Sequence, residues 1–264
     1  MDEPLEPKRY AFGVLPQRSA VLTAQYWNPI LDFVSRESGV TLILKTARTA
    51  PEANQAMERG EYDFVYSNTI FLPRLSGSGY RVILKPRSAA IRGQIVTREE
   101  SSVHALKELQ DQTVGFPTRG AFVGYAVPMD HLMRSGIEVK STFGGNQEGI
   151  MGQLMAGKVV AAGVNNELMR LFAQRENFRY RVLWESDPFE NLPISVHARV
   201  PREVASAVQR AFVAMNDLPE GISTQEKSAI VIKQSPPYGF TTASQGDYQN
   251  YIDFYQNTLV RDIE

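Results

Sequence analysis

Two arginines sit in matching company in this chain. Arg18 follows Leu15-Pro16-Gln17 and precedes Ser19-Ala20, while Arg119 follows Phe116-Pro117-Thr118 and precedes Gly120-Ala121. Each loop comes after a short apolar run, breaks at proline and leads into a segment of helical periodicity. A guanidinium is a planar fork of N–H donors that fits an oxyanion. The first turn of a helix adds unpaired N–H groups and the positive end of its dipole. The chemistry on offer is anion capture, with no bond made or broken. Thr118 adds a hydroxyl beside Arg119, and Gln17 and Ser19 flank Arg18. A capped helix carrying a solvated arginine would read the same way, so neither loop decides alone.

A second pair repeats in the same order. Gly60 leads through Tyr62-Asp63-Phe64-Val65-Tyr66-Ser67 to Asn68, and Gly157 leads through Val159-Val160-Ala161-Ala162-Gly163-Val164 to Asn165, with equal spacing. Tyr66, Ser67, Asn68 and Asn165 therefore fall at the ends of strand-like runs. There they either form turns or line a pocket with neutral polar groups. The stretch Phe143-Gly144-Gly145-Asn146-Gln147-Glu148 is a Gly-rich bend before a helix. Its Asn146 and Gln147 offer amide donors, and Glu148 fits a capping role. Two matches in one order imply two similar α/β lobes. Ligands in open α/β sheets bind beyond the strand ends, so facing lobes would present these loops to a common cleft.

The elements that must position the loops alternate between strand and helix patterns, as parallel βαβ units do. Strands are expected at 10–15, 41–44, 64–66, 81–84, 93–97, 113–116, 159–164 and 181–184, with 194–199 extended. Helices are expected at 24–38, 51–59, 101–109, 121–134, 148–156, 167–175, 201–215 and 246–259. Trp27, Ile30, Leu31 and Val34 share one helix face and read as core. Ser76-Gly77-Ser78-Gly79 imitates a phosphate loop, but no long helix pattern follows, so it reads as a surface bend. The expected fold class is α/β, with two lobes, each a mostly parallel sheet flanked by helices. Lobe one takes residues 1–90 and 192–264, lobe two takes 91–191, and the two crossings form a two-strand hinge.

Bulk composition narrows the function. With 28 basic and 29 acidic residues the net charge is −1, which leaves no electrostatic footprint for nucleic acid or an anionic membrane. There are no cysteines, hence no disulfide framework, thiolate catalysis or cysteine-ligated zinc. No apolar run reaches the length of a spanning helix. His104, His131 and His197 are scattered outside any ligand-spaced motif, and neither a nucleophile elbow nor a P-loop lysine occurs. No catalytic residue, metal or cofactor is expected. Met1-Asp2-Glu3-Pro4-Leu5-Glu6-Pro7 has the polar, Pro-rich character of a segment following a processing site.

The run Phe12-Gly13-Val14-Leu15-Pro16, the segment Gly60 to Tyr66, Leu106-x-x-Leu109 with Val114-Gly115-Phe116-Pro117, and Phe143-Gly144-Gly145 before a helix together resemble the phosphate/phosphite/phosphonate-binding proteins of ABC transporters. The resemblance extends to about Pro201. It implies the type II periplasmic binding fold, a two-lobed Venus flytrap that holds a phosphorus oxyanion and presents it to a membrane permease. It further implies a monomer outside the cytoplasm, its signal peptide removed. Carried over by position, the oxyanion loop is Thr118, Arg119, Gly120 and Ala121, with Gln147 from the later bend and Tyr66 from lobe one. Many phosphonate binders carry a Ser-Thr-Ser-Gly-like loop where this chain has Thr-Arg-Gly-Ala, and commonly a His where it has Gln147. Members that take aminoalkylphosphonates hold the amine with acidic residues, whereas this chain has Asn165 and Asn191 there. The expected ligand is an anion lacking an amine: phosphate, phosphite or a simple alkyl phosphonate. The same fold serving as input domain of a membrane sensor kinase or cyclase is the alternative, and an enzyme on this fold is a third reading.

Overall fold

The computed structural model describes residues 8–217 and 237–264. The leader-like Met1–Pro7 and the start of the tail at Ser235-Pro236 lie outside the described residues. Eleven strands are described: β1 (Arg9–Val14), β2 (Thr41–Thr46), β3 (Phe64–Tyr66), β4 (Tyr80–Pro86), β5 (Gly93–Arg98), β6 (Thr113–Phe116), β7 (Lys140–Phe143), β8 (Ala161–Asn165), β9 (Tyr180–Glu185), β10 (Ile194–His197) and β11 (Phe240–Thr242). The described α-helices are α1 (Ala20–Ser38), α2 (Ala50–Glu58), α3 (Val127–Arg134), α4 (Gln147–Met155), α5 (Asn166–Glu176), α6 (Arg202–Ala214) and α7 (Gln249–Asn257).

Two mixed sheets flanked by helices make two lobes. The first sheet runs β11-β4-β10-β3-β1-β2 and the second β7-β6-β8-β5-β9. The internal repeat is visible strand for strand. β1 pairs in parallel with β2 and β3, as β6 does with β7 and β8. The repeated glycines have one job: Gly60 (φ 63°) and Gly157 (φ 70°) both take the left-handed conformation just after α2 and α4.

The pairing is more mixed than the expected mostly parallel sheets, and the crossings explain why. β4 ends at the cleft, so the chain enters the second lobe from its cleft side, and β5 runs antiparallel to β8. β9 returns the chain in the same way, so β10 runs antiparallel to β3 and β4. The crossing segments pair where Ile91 and Phe189 exchange backbone hydrogen bonds of 2.8 Å in both directions. That bridge is the waist of a two-strand hinge.

Local chemistry sets the boundaries that differ from expectation. α1 begins four residues early because the Ser19 hydroxyl accepts the Leu22 N–H at 3.3 Å. The expected helix 101–109 shrinks to a 3₁₀ turn at Leu106–Leu109. The reason is Arg181, whose guanidinium takes the carbonyls of Glu99, Ser101 and Val103 and holds that backbone extended. β7, which the sequence pattern did not announce, is an edge strand whose Lys140 and Ser141 are exposed. The tail helix opens with a 3₁₀ turn at Gln245–Tyr248 before α7.

Trp27 anchors the first core with Phe12, Ile30, Val34 and Phe212, all nearly inaccessible. A further cluster lies between the lobes. It joins Leu15, Phe71 and Leu72 of the first to Phe122, Val123 and Val127 of the second through Phe189, Tyr248 and Tyr251. Phe122 stacks on Tyr251 with centroids 4.1 Å apart. Residues Thr258 to Glu264, which the division by sequence assigns to lobe one, lie against lobe two. There Asp130 accepts from the Thr258 hydroxyl (2.8 Å) and the Leu259 N–H (2.7 Å).

Candidate functional site

The loop after β6 enters not a regular helix but a π-helical turn, Phe122–Ala126, and only then α3. Such turns recur at functional sites because they widen the backbone ring and redirect N–H groups. The turn rests directly on the sheet. A Cβ on Gly163 would lie 2.4 Å from the Gly124 carbonyl, and one on Gly93 would lie 2.6 Å from the Val123 carbonyl. Glycine at both positions permits the approach. The first N–H groups of the turn lack intrahelical acceptors, and Gly120, Ala121, Phe122 and Val123 line a cavity of about 30 Å³. Thr118, Asn146 and Gln147 complete its second-lobe wall, with Leu15, Pro16, Gln17 and Asn68 facing them from the first.

A larger cavity of about 80 Å³ adjoins it and shares the Leu15 and Gln17 walls. Arg18, Tyr26, Trp27, Tyr66 and Ser88 line it from the first lobe and the crossing, and Asn165, Glu167, Leu168 and Asn191 from the other side. At roughly 10–15 Å³ per water, the small chamber holds about two waters and the larger about six. The lobes touch beside both chambers, where the Glu148 N–H at the start of α4 donates to the Gln17 carbonyl at 3.2 Å.

Hydrogen bonds fix most of the lining. Gln147 is buried, and its Oε1 accepts the Asn165 N–H at 3.1 Å. Asn165 in turn caps α5 by accepting from the Glu167 and Leu168 N–H groups. Asn146 caps α4, accepting the Gly149 N–H at 2.7 Å. Asn191 Oδ1 accepts from the Leu192 N–H (2.8 Å) and the Tyr66 hydroxyl (3.4 Å), and its Nδ2 donates to Ser88 Oγ at 3.3 Å. The Tyr251 hydroxyl, which donates to the Glu190 carbonyl at 2.7 Å, lies near Asn68. Burial pushes the Tyr26 hydroxyl up to about 12 despite Arg18 beside it, and raises that of Tyr66 well above its usual value. Both phenols are thus neutral near pH 7. The Arg18 Cζ sits 5.5 Å from the Tyr26 ring centroid.

The structure thus gathers Gln17, Arg18, Tyr66, Asn68, Thr118, Gly120, Ala121, Asn146, Gln147, Asn165 and Asn191 around two adjoining chambers. Two expected residues stand apart. Arg119 lines neither chamber; its guanidinium pairs with Asp262 and lies 4.7 Å from the Phe143 ring centroid. The cause is the tail, which Asp130 pins to lobe two, and Asp262 also accepts the Tyr125 hydroxyl at 2.7 Å. Ser67 is spent on its own turn, its hydroxyl meeting Thr69 Oγ1 at 2.7 Å and accepting the Thr69 N–H. Glu148, read as a cap, pairs with Arg175 instead.

Tyr26, Ser88 and Glu167 were not singled out from sequence. Tyr26 is the neighbour of Trp27 on a helix whose buried face was legible, so its place beside the cleft had a signal. Glu167 entered the sequence reading only as the first residue of an expected helix. Its carboxylate is held by Arg170, with Nε at 3.1 Å from Oε2.

Neither His131 nor His197 lines the chambers. His131 stacks on Trp184 at 4.3 Å and His197 packs edge-on to Tyr80, and burial holds both below the usual imidazole range. Among the described residues there is no cluster of His, Asp and Glu fit to hold a metal ion, and no helix is long and apolar enough to cross a membrane.

The family described as the periplasmic phosphonate substrate-binding protein of ABC transporters matches residues 12–248. Among solved structures, PhnD1 from Prochlorococcus marinus in complex with methylphosphonate superposes with a TM-score of 0.82 at 12% identity, covering 95% of this chain and 98% of that one. A binding component of an ABC phosphonate transporter from Pseudomonas aeruginosa gives 0.79 at 14% identity, covering 95% and 87%. A Xanthomonas citri protein bound to ATP gives 0.70 at 16% identity, covering 94% and 97%. These likenesses place the fold among type II periplasmic binding proteins. No protein of curated function matches the sequence. Nothing in these similarities favours a sensor input domain.

Proposed function

The chain belongs to the family of periplasmic phosphonate substrate-binding proteins of ABC transporters, and from that membership we propose that it captures a small phosphorus oxyanion between its lobes. The phosphonyl group occupies the smaller chamber. There the opening N–H groups of the π-helical turn, the Thr118 hydroxyl and the Gln147 amide supply neutral donors to its oxygens. The observation that carries this reading is the convergence of that turn and the Gln17 loop on one chamber bridged by a hydrogen bond between the lobes. Closure around ligand, read by a permease, is how a two-lobed receptor reports occupancy. The cleft groups described bind and orient, in keeping with a receptor rather than an enzyme. The protein acts outside the cytoplasm as a monomer and needs neither cofactor nor nucleic acid.

The pocket disfavours an amine. Asn165 and Asn191 are neutral, and Arg170 already neutralises Glu167, so a ligand ammonium group would find no free carboxylate. Titration calorimetry tests the reading. One methylphosphonate should bind per chain, more tightly than 2-aminoethylphosphonate. Gln147→Leu, which removes a chamber donor, should weaken it by about tenfold or more. A folded protein that binds no phosphorus oxyanion would overturn the proposal.

A further inference from the structure

The larger chamber is chemically unlike the smaller, and that difference speaks to the ligand's substituent. Arg18 contributes a full positive charge to it. Among the described residues no carboxylate lies within ion-pair distance of Arg18, whose guanidinium carbon sits 5.5 Å from the Tyr26 ring centroid. The neighbouring phenols are neutral, Glu167 is engaged by Arg170, and the amides of Asn165 and Asn191 carry no charge. A guanidinium partly withdrawn from water calls for an anionic partner, and none of the described residues supplies one. The chamber also exceeds the size of the one beside it, so a bare phosphate or phosphite would leave it unfilled.

Resting on the proposed phosphonyl position, we infer that the larger chamber recognises a carboxylate on the ligand's substituent. The ligand class is then an ω-phosphonocarboxylate, of which phosphonoacetate is the smallest member. Its phosphonyl group sits at the π-helical turn, its methylene chain runs past Leu15 and Trp27, and its carboxylate meets the Arg18 fork.

The test is calorimetry with methylphosphonate, phosphonoacetate and 3-phosphonopropionate on the unaltered chain and on Arg18→Gln. One of the two phosphonocarboxylates should bind the unaltered chain at least about tenfold more tightly than methylphosphonate, the worth of one charge-assisted hydrogen bond. In Arg18→Gln that ratio should fall to within about threefold. Equal or tighter binding of methylphosphonate to the unaltered chain would overturn the inference and leave the proposed function standing. An equal loss for all three ligands in Arg18→Gln would overturn it too, because it would put the phosphonyl group itself on Arg18. If a folded chain binds none of the three, the proposed function fails and this inference falls with it.

Discussion

Replacing Arg119 by alanine separates an anion ligand from a structural arginine. In the structure its guanidinium faces Asp262, the two side chains being 37% and 50% exposed. An exposed pair of that kind is worth about 0–1 kcal/mol, and the contact with the Phe143 ring adds about 0.5–1 kcal/mol. Arg119→Ala should therefore lower the unfolding free energy by about 1 kcal/mol, and less at high salt, since screening acts on the exposed pair. Because the side chain lines neither chamber, methylphosphonate affinity should stay within about threefold, where a lost charge-assisted bond to ligand would cost about 10- to 150-fold. Urea denaturation at two salt concentrations and calorimetry on the same samples measure both quantities. Asp262→Asn and the double variant complete a cycle whose coupling should not exceed about 1 kcal/mol. A hundredfold loss of affinity with little change in stability would refute the reasoning, for it would mean that the arginine leaves Asp262 to hold the bound anion.

Three other perturbations have signs fixed by the structure. Phe122→Ala removes a ring that is 2% exposed and packed on Phe189, Tyr251, Phe254 and Tyr255; urea unfolding should show a loss of about 3–5 kcal/mol, and a loss below about 1 kcal/mol would contradict the packing. Burial works against the Asp130 carboxylate, but hydrogen bonds from Arg134, Leu259 and Thr258 outweigh it and hold its pKa below the usual value. That stabilisation is present above the unfolded carboxyl value and is lost as pH falls through the folded one. Asp130→Asn should thus cost about 1.5–3 kcal/mol at pH 7, with a gap that closes below about pH 4 and faster amide exchange at Leu259; a gap constant with pH would count against it. Gly163→Ala drives a methyl group into the Gly124 carbonyl, so stability should drop by about 1–3 kcal/mol and methylphosphonate binding should weaken, both read from ligand-dependent thermal shifts; an unchanged melting temperature would show that the turn has slack.

Much of this was legible in the residues. The Gly60 and Gly157 repeats announced equivalent strands because left-handed glycines after helices and apolar runs before asparagine are local signals, and local signals survive into the fold. The chamber walls followed, since loops after equivalent strands must meet when sheets face one another. Arg119 was not legible. Its partner, Asp262, arrives from the other end of the chain through contacts at Asp130 that no spacing rule foretells. The π-helical turn was hidden for a similar reason: the sequence 122–134 has ordinary helical periodicity, and only the close seat on Gly93 and Gly163 widens its first turn. The antiparallel β5 and β10 are a consequence of the crossings, which strand patterns do not encode.

The contact between the Glu148 N–H and the Gln17 carbonyl joins the lobes through main-chain atoms alone. Every residue type but proline carries that donor, and every residue carries that acceptor. A hydrogen bond of this kind contributes about 0.5–1.5 kcal/mol, enough to shift an open–closed ratio by about two- to twelvefold. Side chains around the two chambers can therefore drift toward a new solute while the signal of occupancy stays the same. The groups that would tell ligands apart and the contact that ties the lobes together are thus chemically independent, so a substitution in one leaves the other intact.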